Sequence, residues 1–347
     1  LSVEDSKNML ALGRLDLPSS VMKLTDAQKH LLLNTYKTEK CFQQRTCATT
    51  IRKICFSLLT GDALKNSLKE HIMTCCRKGV PALFNDICHL VTSPYATNKT
   101  QYVTEPMDFK AHQLVIEVRS WLDEFVKNLR ATETFTGTGD MEAPTSLLWV
   151  MHLQGHLLEK SGELQQAMLY IQECIDHTPT ATDFYLRKAR VLKKMGDLNA
   201  AATVADEARS LDLQDRYLNN KATKYAFRAN KVDYGNELMA MFARHEGDPQ
   251  MYLADMQCNW YELNCGEAYA RTKDWGKALK KFYSVQSHFT AYVEDMFDFH
   301  GFCVRKTSLR AHSDCVSMHN TIYAHPFYQR ACRGALQILL HLLDEPD

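Results

Sequence analysis

Two stretches of this chain gather positive side chains at helical spacing: Arg187, Arg190, Lys193 and Lys194, then Arg216, Lys221, Lys224 and Arg228. Residues three and four apart share one face of a helix. Cations crowded on a face repel one another, so such a cluster is easiest to explain if a polyanion neutralises it. Arginine forks suit phosphate or carboxylate, and lysines add point charge. The plain alternative is a solvated basic face. The chain as a whole supplies no general attraction for anions, because Lys+Arg and Asp+Glu both number 41. Binding by charge must therefore come from a local patch, not from a global pull toward nucleic acid or membrane.

Catalytic chemistry finds no comparable constellation. There is no Walker loop, no G-x-S-x-G, no H-E-x-x-H and no strand-rich pattern for a dinucleotide. The phosphate-cradling loop of acetyltransferases is missing too, since its partial match, Arg244-x-x-Gly247, runs into Pro249. The 12 cysteines include no C-x-x-C pair, and they read as reduced thiols in a large chain without a secretory signal. His71, Cys75, Cys76, Cys88 and His89 are the one group with ligand-like chemistry, but they lack a recognised zinc spacing. The expectation is a non-enzyme with no metal, no catalytic residue and no membrane span.

The elements that must carry the cations repeat. From Leu148, small or apolar residues fall at Gly155, Leu158, Gly162, Ala167, Ile171, Cys174 and Pro179, and 34 residues on at Ala189, Leu192, Gly196, Ala201, Ala205 and Ala208. This is the tetratricopeptide period of two antiparallel helices. A degraded copy starts at Arg216, with Asn230 at the turn and Gly235 at the twentieth position, and a fourth starts near Asn259. Small eighth and twentieth residues let paired helices approach, and Gly162, Gly196 and Asn230 suit left-handed helix ends. The first helix of each pair lines a concave face, and the two cation sets fall on its groove-facing positions. In the first repeat Trp149, His152 and His156 share that face, where Trp149 is either a partner anchor or a half-buried packing residue.

The predicted fold is all-α, a right-handed tetratricopeptide-type solenoid with irregular flanking helices. Residues 1–143 read as an irregular helical region with loops at about 93–108 and 131–146, residues 144–291 as the repeat array, and 292–347 as a C-terminal helical continuation. An apolar stripe predicts a helix over Ala111–Arg130. Met296–Ala311 and Phe327–Leu343 read as two more, with His325-Pro326 at the break between them.

Several ordered segments resemble one family. They are Pro144–Val150, Glu159-Lys160-Ser161-Gly162, Met256–Trp260, Trp275–Lys281, Ser287-His288-Phe289, Phe297–His300, Arg305-Lys306 and His325–Tyr328. Their order and spacing resemble the auxiliary, large subunit of the NatA N-terminal acetyltransferase. The resemblance is strong over about 144–345 and weaker from Leu58 to Glu142. It implies a non-catalytic scaffold that wraps a GNAT-fold catalytic subunit, with a small regulatory subunit and the ribosome as further partners and no sequence-specific nucleic-acid binding. A cytoplasmic, ribosome-associated place follows from the same resemblance. It also implies inositol hexakisphosphate as a structural ligand, held at the positions that match here as Arg190, Lys193, Lys194, Arg216, Lys221 and Lys224. The competing reading is a tetratricopeptide adaptor or co-chaperone that clamps acidic tails with the same cations.

Overall fold

The computed structural model describes residues 25–38, 55–56, 58–92, 112–243 and 247–345, and every regular element among them is helical. They fall into two compact units, Leu1–Pro179 and Thr180–Asp347. The 93–108 loop lies outside the described residues.

The first unit holds α1 (Asp26–Thr38), α2 (Gly61–Lys78), α3 (Leu83–Thr92), α4 (Gln113–Thr132), α5 (Pro144–Ser161) and α6 (Leu164–His177). Its centre is α5, buried on nearly every side from Leu148 to Glu159 and packed on α2, α3, α4 and α6. The α4 stripe forms as expected, with Val115, Val118, Leu122, Phe125 and Leu129 inward. The connection to α5 is anchored, since Phe135 is buried edge-on against Phe125 and its carbonyl accepts from Asn128 Nδ2 at 3.0 Å. Pro144 opens α5 at its first turn, where a missing N–H costs nothing. A Cβ on Gly155 would lie 3.0 Å from Ile171 and 3.5 Å from the Ala167 carbonyl of α6, the close approach that the repeat pattern requires.

The second unit holds α7 (Thr182–Met195), α8 (Leu198–Leu211), α9 (Arg216–Arg228), α10 (Val232–Ala240), α11 (Pro249–Asp255), α12 (Asn259–Arg271), α13 (Trp275–Lys306), α14 (Leu309–His319) and α15 (Pro326–Asp344). Helices α7 and α8 pair through Ala189, Ala201 and Ala205, all fully buried. Gly196 ends α7 at φ 95°, and Asn230 turns the chain after α9 at φ 58°. Asp197 and Asp215 cap α8 and α9, accepting from Ala200 N at 2.9 Å and Tyr217 N at 2.6 Å. Further on, α12, α13 and α15 share one core around Tyr261, Leu263, Phe282, Val285 and Ile338.

One helix differs from the sequence expectation. No break separates the fourth repeat from a helix beginning at Met296, because α13 runs unbroken for 32 residues and stops at Thr307, inside the expected Met296–Ala311 segment. The stretch contains no proline to interrupt its hydrogen-bond ladder. His325-Pro326 does mark a helix start, with His325 capping α15, while α14 and a short 3-10 turn precede it.

Candidate anion-binding site

Arg190, Lys193 and Lys194 sit on α7, and Arg216, Lys221 and Lys224 on α9, all within the second unit. Arg190 and Lys194 are exposed and Lys193 is half-buried, and each takes part in a local interaction. The α9 set has a distinctive support. Arg216 lies over the Phe242 ring at 5.4 Å, Lys221 over Tyr217 at 4.9 Å, Lys224 over Trp260 at 4.2 Å and Arg228 over Tyr225 at 5.4 Å. Ring faces attract cations without cancelling their charge. No carboxylate pairs with any of these four among the described residues.

Burial, then the nearby charges of Lys221, Arg228 and Arg330, holds the Lys224 ammonium below its ordinary value. The fold therefore gathers positive charge around Lys224 that an added anion would relieve.

Two members of this cluster were missed from the sequence. Arg271 ends α12, where its guanidinium donates to Asn230 Oδ1 at 2.8 Å and to the Phe227 carbonyl at 2.7 Å. Arg330 on α15 forms a two-pronged pair with Glu267, one arm at 2.6 Å. Arg271 occupies the thirteenth position of the fourth repeat and Trp260 the second. Both are groove-facing by the rule that found Arg228, so extending that rule one copy would have reached them. Arg330 lies beyond the repeats and carried no spacing signal.

The first-repeat expectation is corrected. His152 and His156 do not face a groove, because each is only 4% exposed. His156 stacks on Phe84 at 3.7 Å and His152 meets Trp149 edge-on. Helices α2 and α3 cover the face of α5 that a bare repeat would leave open. Trp149 packs over the end of α2, where a Cβ on Gly79 would stand 2.6 Å from its Nε1.

Among the described residues no three His, Cys, Asp or Glu side chains come together to hold a metal. His71 and Cys75 do meet, at 3.5 Å, whereas the His89 side chain lies outside those described. Among the described residues no cysteine is joined in a disulfide. Burial pushes the thiols of Cys174 to about 12 and Cys265 to about 11, which keeps them protonated and poor nucleophiles near neutrality. No helix among the described residues is long and apolar enough to cross a membrane.

Fold and site together define a helical-repeat protein of the tetratricopeptide type, with a cation-rich surface on its second unit. Residues 12–347 match the family described as N-terminal acetyltransferase A, auxiliary subunit, and the chain belongs to that family of auxiliary, not catalytic, subunits. An Arabidopsis thaliana relative, N-terminal acetyltransferase A complex auxiliary subunit NAA15, is 34% identical over 88% of this chain and 32% of its own length. A human relative, N-alpha-acetyltransferase 16, NatA auxiliary subunit, is 32% identical over 100% of this chain and 40% of its own. A solved structure of Naa15/Naa10 bound to HypK-THB superposes with a TM-score of 0.74 at 30% identity, covering 94% of this chain and 46% of the matched one. The chain thus spans less than half the length of these relatives.

Proposed function

We propose that this chain is a scaffold that holds and activates a GNAT-fold catalytic subunit for co-translational acetylation of nascent N-termini, with an inositol polyphosphate in the basic site of its second unit. Partnership with a catalytic subunit is supported by the likeness to Naa15 in a structure named for Naa15 and Naa10. The polyphosphate is supported by one observation. Arg216, Lys221, Lys224 and Arg228 are seated on aromatic rings and pair with no carboxylate among the described residues. Natural surfaces usually intersperse both charge signs, and like charges kept together are relieved by a dense anion. The six family-matched residues fit such a ligand in chemistry, with two arginine forks and four lysine point charges.

The test is charge reversal. Lys193→Glu with Lys221→Glu should lower the yield of complex with the catalytic subunit while the isolated chain keeps its unfolding temperature within a few degrees. Mass spectrometry of the purified wild-type complex should find a phosphorylated small molecule that the double variant loses. If complex yield and ligand content both held steady, the polyphosphate reading would be wrong. Binding of acidic peptides with no affinity for the catalytic subunit would favour the adaptor instead.

A further inference from the structure

The family-matched cations end at Lys224, but the positive surface does not. Arg228, Arg271 and Arg330 come from three different helices, α9, α12 and α15. All three lie close enough to act electrostatically on Lys224 or on one another. Glu267 is the carboxylate paired with this group. It illustrates what the group accepts, because both its oxygens are taken by the Nε and Nη2 of Arg330. Arg271 is anchored differently, on the neutral oxygens of Asn230 and Phe227. That fixes the guanidinium plane, and burial, together with the nearby charges of Arg228 and Arg330, outweighs the charge of Glu267 and holds the guanidinium below its ordinary value. Arg228 rests on the Tyr225 ring and pairs with no carboxylate among the described residues. Two oriented forks, neither in a salt bridge with a carboxylate among the described residues, thus stand beside a third that already holds a carboxylate in two-pronged fashion. Planar forks match carboxylates in a way that lysine ammoniums do not.

We propose that Arg228 and Arg271 form a carboxylate seat that takes aspartate or glutamate side chains from an acidic segment of a partner protein. The seat adjoins the lysine-rich polyphosphate site at Lys224 but does not depend on it. Cations of Arg228 and Arg271 would share the incoming carboxylate while Arg330 stays with Glu267.

The experiment titrates the full chain with two probes, acetyl-tetra-aspartate amide and inorganic tripolyphosphate. Arg228→Gln and Arg271→Gln are each expected to weaken tetra-aspartate about tenfold or more, the usual worth of a lost charge-assisted bond, and to weaken tripolyphosphate, which the lysines still hold, by a clearly smaller factor. Lys193→Gln with Lys221→Gln should show the opposite selectivity. Arg228→Gln breaks no contact to a backbone carbonyl, so it reads out the seat even if Arg271→Gln loosens the fold. Equal weakening of both probes by the arginine variants would overturn the proposal in favour of one continuous polyphosphate groove. So would a wild-type chain that ignores tetra-aspartate, or an Arg228→Gln chain that binds it unchanged. A chain that binds tetra-aspartate but not tripolyphosphate would leave the seat standing and remove the polyphosphate reading.

Discussion

Lys224 holds its ammonium 4.2 Å from the centroid of the Trp260 ring, joining the third repeat's first helix to the fourth's. The contact does two things at once. It stabilises a cation that burial and three positive neighbours disfavour, and it fixes that cation's position for an anion. Trp260→Leu keeps an apolar side chain but removes the ring quadrupole. Anion affinity of the variant should fall about two- to thirtyfold, the range spanned by cation–ring attraction of roughly 0.5–2 kcal/mol. Calorimetric titration with tripolyphosphate reads this directly, and unchanged affinity would show that the ring is mere packing.

Lys224 also predicts proton linkage. Its folded-state value lies below the ordinary lysine value, so in the window between the two the folded chain binds fewer protons than the unfolded one. Stability contributed at this site therefore rises as pH climbs through that window, because the penalty for the charged form disappears. A bound polyanion pushes Lys224 back up, so binding in that alkaline window should take up protons. Titrations in buffers of different ionisation enthalpy measure the number. Binding without uptake at Lys224, judged against Lys224→Met, would place the anion elsewhere.

Ala201 is fully buried between α7 and α8. Ala201→Leu forces three further carbons into that contact and should cost about 1–3 kcal/mol. Thermal unfolding checks it, and an unmoved transition would contradict the repeat register.

Phe282 of α13 is wedged between two glycines of neighbouring helices. A Cβ on Gly334 would lie 2.5 Å from its ring and one on Gly266 3.0 Å. Gly334→Ala should therefore destabilise by roughly 1–3 kcal/mol despite alanine's better helix propensity. Pairing it with Phe282→Leu should recover part of the loss in chemical denaturation, since the smaller side chain vacates the contested space.

The repeat register was legible because small residues must recur wherever two backbones approach. Ala189 and Ala201 are buried as expected, and Gly162 and Gly196 both take left-handed ends at φ 83° and 95°. The interior of the first unit was not legible. His152 and His156 carry the polar pattern of an open face, and only the arrival of α2 and α3, outside the repeat, turns that face into core. A similar limit applies to Arg330, whose relation to Lys224 depends on how α15 folds back across α12 and α13. Phe297, part of a recognisable motif, stays 84% exposed on α13.

Thr307, where α13 ends, is a β-branched residue at φ 54°. Left-handed backbone costs such a residue about 1–2 kcal/mol that glycine would avoid. Asn230 and Lys273 close α9 and α12 in the same conformation, at φ 58° and 63°. The corners of the second unit thus hold unused headroom: glycine at Thr307 or Lys273, neither touching the cationic face, is available to an engineer who needs a hardier scaffold, whereas Asn230 must stay because its Oδ1 accepts from Arg271.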